Sequence, residues 1–145
     1  MNAPATPTHA DQLARATRQS EVVHALQAVL PAHALLWNRE DTTAYECDGL
    51  TAYRQRPLVV ALPETEAQVR AVLQTCHRLK VPVVARGAGT GLSGGAMPHA
   101  LGVTLSLAKF NKIVQLDRLA RTATVQCGVR NLAAMWRKTP VACIA

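Results

Sequence analysis

Residues 81–96, VPVVARGAGTGLSGGA, constrain this chain more than any other stretch. A short β-branched run enters a loop that holds Gly87, Gly89, Gly91, Gly94 and Gly95. So dense a set of glycines breaks any regular element and asks for a backbone that turns where side chains would obstruct it. Successive N–H groups in such a loop converge on one point and form an anion-binding concavity. The stretch therefore predicts a phosphate-bearing, nucleotide-type ligand, weighed against the plainer reading of a flexible glycine-rich turn.

The residues on the carboxyl side of the glycines separate the known phosphate loops. A Walker-type loop ends Gly-Lys-Ser/Thr, because the lysine reaches the terminal phosphates and the hydroxyl holds magnesium. Here the glycines run into Ala96 and Met97, and no lysine stands between Lys80 and Lys109. Gly89, Gly91 and Gly94 do satisfy G-x-G-x-x-G after a strand-like run, as a Rossmann turn would. The helix of that motif is missing: Pro98 and Gly102 interrupt the next residues, and Val103 to Leu107 again reads as a strand. A loop that runs from strand to strand must hold a pyrophosphate with its own amides, without a helix dipole.

The segment Val83-Val84-Ala85-Arg86-Gly87-Ala88-Gly89-Thr90-Gly91-Leu92-Ser93-Gly94-Gly95 resembles the pyrophosphate loop of FAD-linked oxidases of the vanillyl-alcohol oxidase type, which carry a PCMH-type FAD-binding domain. Tyr45-Glu46-Cys47-Asp48-Gly49-Leu50, Tyr53-Arg54, Arg56-Pro57, Leu62-Pro63 and Gly128-Val129-Arg130-Asn131 extend the likeness to the flavin subunits of bacterial glycolate oxidases and their D-lactate dehydrogenase kin. It runs from about Leu35 to Ala133. The resemblance implies FAD as cofactor, with its diphosphate contacted by Arg86, Gly87, Ala88, Gly89, Thr90, Gly91, Leu92, Ser93 and Gly94. Thr90 and Ser93 are the expected hydroxyl donors, and the arginine and the strand before it fix the loop. It further implies oxidation of a small 2-hydroxy acid, a separate cap domain for the substrate, and electrons leaving through an iron-sulfur partner subunit.

Relatives in that family are several times longer than 145 residues and complete the flavin domain with a second glycine-rich segment. The expected organisation is an N-terminal segment over 1–34, a partial PCMH-type FAD-binding domain over 35–133 and a divergent tail over 134–145. That tail, Ala134-Met135-Trp136-Arg137-Lys138-Thr139-Pro140-Val141-Ala142-Cys143-Ile144-Ala145, reads as a premature or frameshifted end. Cys127 stands where the family usually has proline, which touches only a local turn. The chain implies no catalytic residue, and a second flavin-domain chain is an expected partner.

Composition fits one incomplete α/β domain. Hydrophobic residues make up 49% and aromatics 3%, so the core is built of Ala, Val and Leu and buries less apolar surface per residue than one with rings. A net charge of +7 could suggest nucleic acid, but the sixteen Lys and Arg form no dense run and no aromatics interleave to stack bases. The excess instead favours anionic ligands. Cys47, Cys76, Cys127 and Cys143 are too widely spaced for a C-x-x-C site and read as reduced thiols. The first twenty residues lack an apolar signal region, and no run approaches the ~20 residues of a membrane helix. The expected location is cytoplasmic, with membrane association only peripheral, at the inner membrane through partner subunits. His9, His24, His33, His77 and His99 offer no metal-ligand spacing. His99 reads as a solvated loop residue, and Asp48 and Glu46 as turn and capping groups.

Apolar spacing orders the elements. Val22, Val23, Leu26, Val29 and Leu30 mark a core-facing helix stopped by Pro31, after a start at residues 1–10 expected to lack structure. Leu58 to Leu62 predicts a strand, Thr65 to Lys80 a helix opened by a Thr65/Gln68 capping box, and Val81 to Ala85 a strand. Val69, Val72, Leu73, Cys76 and Leu79 form that helix's buried stripe, with Cys76 a core residue rather than a nucleophile. Val103 to Leu107, Ile113 to Leu116 and Thr122 to Gln126 predict three strands in a meander. The fold class is α/β, a small sheet with a βαβ unit and flanking helices, the glycine loop at a strand's carboxyl end. Two functions remain open: the FAD-binding portion of a 2-hydroxy-acid oxidoreductase, or a noncatalytic fragment, either a truncated gene product or one half of a split flavin domain that binds FAD weakly or only with another chain.

Overall fold

The computed structural model describes residues 8–117 and 119–129. Helix α1 spans His9–Gln27, followed by a 3-10 turn at Ala32–Ala34, strand β1 (Leu35–Leu36), helix α2 (Arg39–Thr43), strand β2 (Val59–Ala61) and helix α3 (Glu66–Arg78). Strands β3 (Val83–Arg86), β4 (Val103–Ser106), β5 (Ile113–Asp117) and β6 (Thr122–Val125) complete the order.

Four strands form one sheet in the order β1-β2-β4-β3. Strand β4 pairs in parallel with both neighbours, Val103 lying across from Val59 on one side and Val83 on the other. Being central, β2 and β4 are buried along their whole length, as their unbroken run of Val, Leu, Ala and Thr requires. The β2-α3-β3 unit is therefore not a pair of adjacent strands: β4 occupies the slot between them. Strands β5 and β6 pair antiparallel in a separate two-stranded sheet, so the expected three-strand meander is corrected to a hairpin. Gly128 ties that hairpin back. Its N–H donates to the Phe110 carbonyl at 2.7 Å, and a Cβ there would stand 2.6 Å from the Leu107 carbonyl oxygen.

Helix α1 starts earlier than the apolar spacing suggests. Thr8 and Asp11 form a capping box, the Asp11 N–H donating to Thr8 Oγ1 while Asp11 accepts from the Thr8 N–H and hydroxyl. Residues 8–10 are thus cap and first turn rather than an unstructured start, and residues 1–7 lie outside the described part. The Thr8 bonds hold the Asp11 carboxyl below the usual range. The early turns escape an apolar reading because they attach by polar reach: Arg15 donates to the carbonyls of Arg56 (3.1 Å), Pro57 (2.9 Å) and Ala100, and Gln19 to those of Trp37 (3.0 Å) and Leu58 (2.6 Å). Burial, then the Arg56 charge, hold the Arg15 guanidinium below its ordinary pKa.

The apolar end of α1 supplies Val22, Val23 and Leu26 to a core shared with Leu35, Leu58, Val59, Val72, Cys76, Val103 and Leu105. Helix α3 has its Thr65/Gln68 capping box and buries Val72, Thr75 and Cys76. Leu73 departs from the expected stripe: it is 44% exposed, facing a groove between α3 and the hairpin. Two short elements had no period to read. Strand β1 is two residues long, and α2 is one polar turn closed by Thr42 and Thr43 hydroxyls on the Asn38 and Arg39 carbonyls. Residues 130–145, with Arg130, Asn131 and the whole tail, lie outside the described part.

Two outcomes test this packing. Arg15→Met keeps the stem but strands the carbonyls it serves, and should lower the unfolding free energy by about 1–3 kcal/mol in a urea melt with an unchanged slope. Burial pushes the Cys76 thiol from 9.0 up to about 11, so its protection is complete below pH 9 and fades as pH rises toward 11. Iodoacetamide at pH 8 should label exposed Cys127 and spare Cys76 until urea unfolds the chain, as peptide mass mapping would show.

Candidate functional site

Because β2, β4 and β3 run in parallel, their carboxyl ends share one edge of the sheet, where ligands bind in open α/β folds. The glycine loop leaves β3 at that edge and travels from Gly87 to Gly102 without a helix before entering β4. The Rossmann alternative is thereby excluded by structure as well as sequence. Met97 donates to the Gly94 carbonyl at 3.1 Å, Gly102 to that of His99 at 3.0 Å, and Leu101 to His99 Nδ1 at 3.1 Å. His99 is an exposed residue closing its own turn, as expected.

Upstream of Met97 the pattern changes. Among the described residues, no backbone N–H from Gly87 through Ala96 donates an intramolecular hydrogen bond. A run of unpaired donors at a sheet edge stays with water until an acceptor arrives, and a diphosphate offers several charged acceptors at once. Thr90 and Ser93 lie in this run and add hydroxyls. Leu92 is 71% exposed at its tip.

The glycines divide into two kinds. Gly89 (φ +72°) and Gly94 (φ +75°) occupy the left-handed region, where L side chains are strained. At Gly89 a Cβ would also overlap the Arg86 guanidinium, standing 2.8 Å from Nε and closer still to Cζ and Nη2. Gly87, Gly91 and Gly95 have neither constraint: a Cβ on any of them would meet nothing within 4 Å. The fold does not need glycine at these three positions, and open space lies beside their backbone.

Arg86 is not aimed outward. Its Nη1 donates to the Cys47 carbonyl at 2.6 Å, and Cζ lies 5.5 Å from the Tyr45 ring centroid. Gly49 closes on the loop from the other side, with a Cβ there 2.7 Å from the Thr90 carbonyl oxygen and 2.9 Å from that of Gly91. Asp48 makes the expected turn, Oδ1 accepting from the Leu50 N–H at 2.9 Å, while its buried Oδ2 has no partner. Glu46 does not cap; it pairs with Arg54 at 2.9 Å. The sequence placed 45–50 within a resemblance but gave no signal that this segment touches a loop so far along the chain. Among the described residues no group of three His, Cys, Asp or Glu could hold a metal ion.

A parallel-sheet edge carrying unpaired amides beside open space presents several donors to an anionic ligand at once. A family model described as an FAD binding domain matches residues 57–138, more than half of the chain, and the chain belongs to that family, whose cofactor is FAD. The glycolate oxidase subunit GlcD of Escherichia coli (strain K12) is 53% identical over 115 residues, covering 79% of this chain and 23% of that protein. A D-2-hydroxyglutarate dehydrogenase of Xanthomonas citri pv. viticola is 36% identical over 104 residues, 72% of this chain and 22% of its own length. Among solved structures, p-cresol methylhydroxylase with substrate bound superposes with a TM-score of 0.71 at 23% identity, over 84% of this chain and 25% of that one. An alkyldihydroxyacetonephosphate synthase gives 0.69 at 21%, over 82% and 25%. These two likenesses show the fold alone, that of part of a PCMH-type domain. The chain spans roughly a quarter of the relatives it matches.

The two kinds of glycine should separate on substitution. Gly89→Ala should lower stability by about 1–2 kcal/mol or more, from the left-handed backbone plus displacement of Arg86. Gly91→Val should leave the ligand-free melting temperature within about a degree of wild type yet abolish FAD binding, read by differential scanning fluorimetry and flavin fluorescence titration.

Proposed function

We propose that this chain is the diphosphate-holding portion of an FAD-dependent 2-hydroxy-acid oxidoreductase of the glycolate oxidase kind, with residues 35–133 as its flavin-binding part. The observation that carries the reading is the run of unpaired amides from Gly87 to Ala96 beside the open faces of Gly87, Gly91 and Gly95. Gly87 through Gly94 donate backbone N–H groups to the diphosphate and Thr90 and Ser93 add their hydroxyls, while Arg86 fixes the loop from behind. FAD supplies the two-electron acceptor of the reaction when bound. The relatives' names motivate the substrate class, a small 2-hydroxy acid, and a place as one subunit of a glycolate oxidase; the iron-sulfur partner follows from the family resemblance of the sequence. Among the described residues no helix is long and apolar enough to cross a membrane, and attachment at the inner membrane would come through those subunits.

One observation favours the second reading, a half-domain that needs another chain to complete the site. A groove of about 700 Å³ between α3 and the hairpin is lined by Val69, Leu73, Leu107, Phe110, Val114 and Val125, with Val114 66% exposed. An open groove with an apolar floor of this kind supports packing against another polypeptide.

Titration of the 145-residue chain with FAD tests both. Saturable quenching of flavin fluorescence with thermal stabilisation is expected, about 2.7 kcal/mol at a hundredfold excess over Kd. FMN, which lacks the diphosphate, should stabilise far less. Equal effects of FAD and FMN would remove the diphosphate assignment. Binding that appears only when the remaining flavin-domain segment is added as a second chain would select the half-domain.

A further inference from the structure

The segment Tyr45–Leu50 meets the glycine loop at two independent points. Arg86 forms the first: its guanidinium is clamped between the Cys47 carbonyl at 2.6 Å and the Tyr45 ring at 5.5 Å, and it fills the space where a Cβ of Gly89 would stand. The second is direct, Gly49 lying so close to the Thr90 and Gly91 carbonyls that even a methyl group would not fit. The Asp48 turn, closed by the Leu50 N–H at 2.9 Å, sets Gly49 at that contact. Together the two points bracket Gly89–Gly91, the stretch that combines a left-handed residue with unpaired amides and the open face of Gly91.

Exposed glycine-rich backbone without internal hydrogen bonds samples many conformations, and ordering it on ligand arrival subtracts directly from affinity. We propose that Tyr45, Cys47 and Gly49 are positioning residues that hold Gly89–Gly91 in its anion-binding form before any ligand is present, Tyr45 acting through the cation–π contact with Arg86. The inference rests on the proposed FAD-binding function only for what the loop binds. The preorganisation belongs to the ligand-free chain and is measurable there.

The experiment uses ¹⁵N relaxation on the ligand-free 145-residue chain, followed by FAD titration, for Tyr45→Phe, Tyr45→Leu, Arg86→Lys and the Tyr45→Leu/Arg86→Lys pair. Tyr45→Phe keeps the aromatic face and should match wild type in both readouts. Tyr45→Leu should lower the order parameters of the Gly89, Thr90 and Gly91 amides while those of β2, α3 and β4 stay unchanged, and weaken FAD roughly tenfold. With Arg86→Lys already present, Tyr45→Leu should add little, a non-additivity that a purely structural tyrosine would not produce. Unchanged loop order in Tyr45→Leu, or an equal loss with and without Arg86, overturns the proposal. If Tyr45→Leu unfolds the chain, Arg86→Lys alone carries the test: loosening confined to residues 89–91 supports the proposal, and unchanged loop order overturns it. Failure of wild type to bind FAD would count against the functional reading alone, since the loop-order result stands without ligand.

Discussion

The parallel pairing of β4 with both β2 and β3 is the constraint on which the rest of the structure depends. Setting Val103 level with Val59 and Val83 aligns three carboxyl ends on one edge and buries the middle strand on both faces. It also forces the chain leaving β3 to return the full length of the sheet before β4 can begin. In most α/β proteins a helix makes that return and its dipole serves the ligand. Here the return is made by loop, and under the proposed function the amides of the loop take the part the helix end would have played.

The remaining elements serve this arrangement. Helix α1 covers the sheet with Val22, Val23 and Leu26 and anchors its polar half through Arg15 and Gln19, which together donate to the free carbonyls of the segments entering β2 and β4. Those carbonyls lie where strand pairing ends, so the helix satisfies groups that the sheet leaves over. Gly128 and the Phe110 carbonyl fasten the β5-β6 hairpin beyond the end of β4. Little aromatic surface is needed, since small branched side chains on consecutive parallel strands interlock closely.

Local chemistry was legible in the sequence wherever a single element carried its own signal. The Thr65/Gln68 box, the strand at 59–61 and the helix-free exit from the glycines all stand as the residues imply. Signals of the same type were missed where polarity masked them: Thr8 and Asp11 cap a helix whose first turns have no apolar stripe. Strand order was not legible, because short runs of Val and Thr at 103–106 and 122–125 look alike although one is central and the other belongs to an exposed hairpin. The loop announced itself through glycine alone, yet sequence could not sort glycines demanded by backbone angle or close contact from those with only open space beside them. Nor could it bring Tyr45 to Arg86, since a contact between residues so distant along the chain leaves no local trace.

The two kinds of glycine differ in what would keep them through descent. Glycines 49, 89 and 94 answer to the fold, so a lineage that keeps a stable chain must keep them whatever the chain does. Glycines 87, 91 and 95 have open space where a side chain would stand and, under the proposed function, answer only to the diphosphate. Were binding relaxed, side chains would accumulate at those three positions first, at no cost to folding, while the others held. The loop thus carries two clocks, one set by stability and one by use, and divergence between them in related chains would date the loss of the cofactor independently of any change in the rest of the protein.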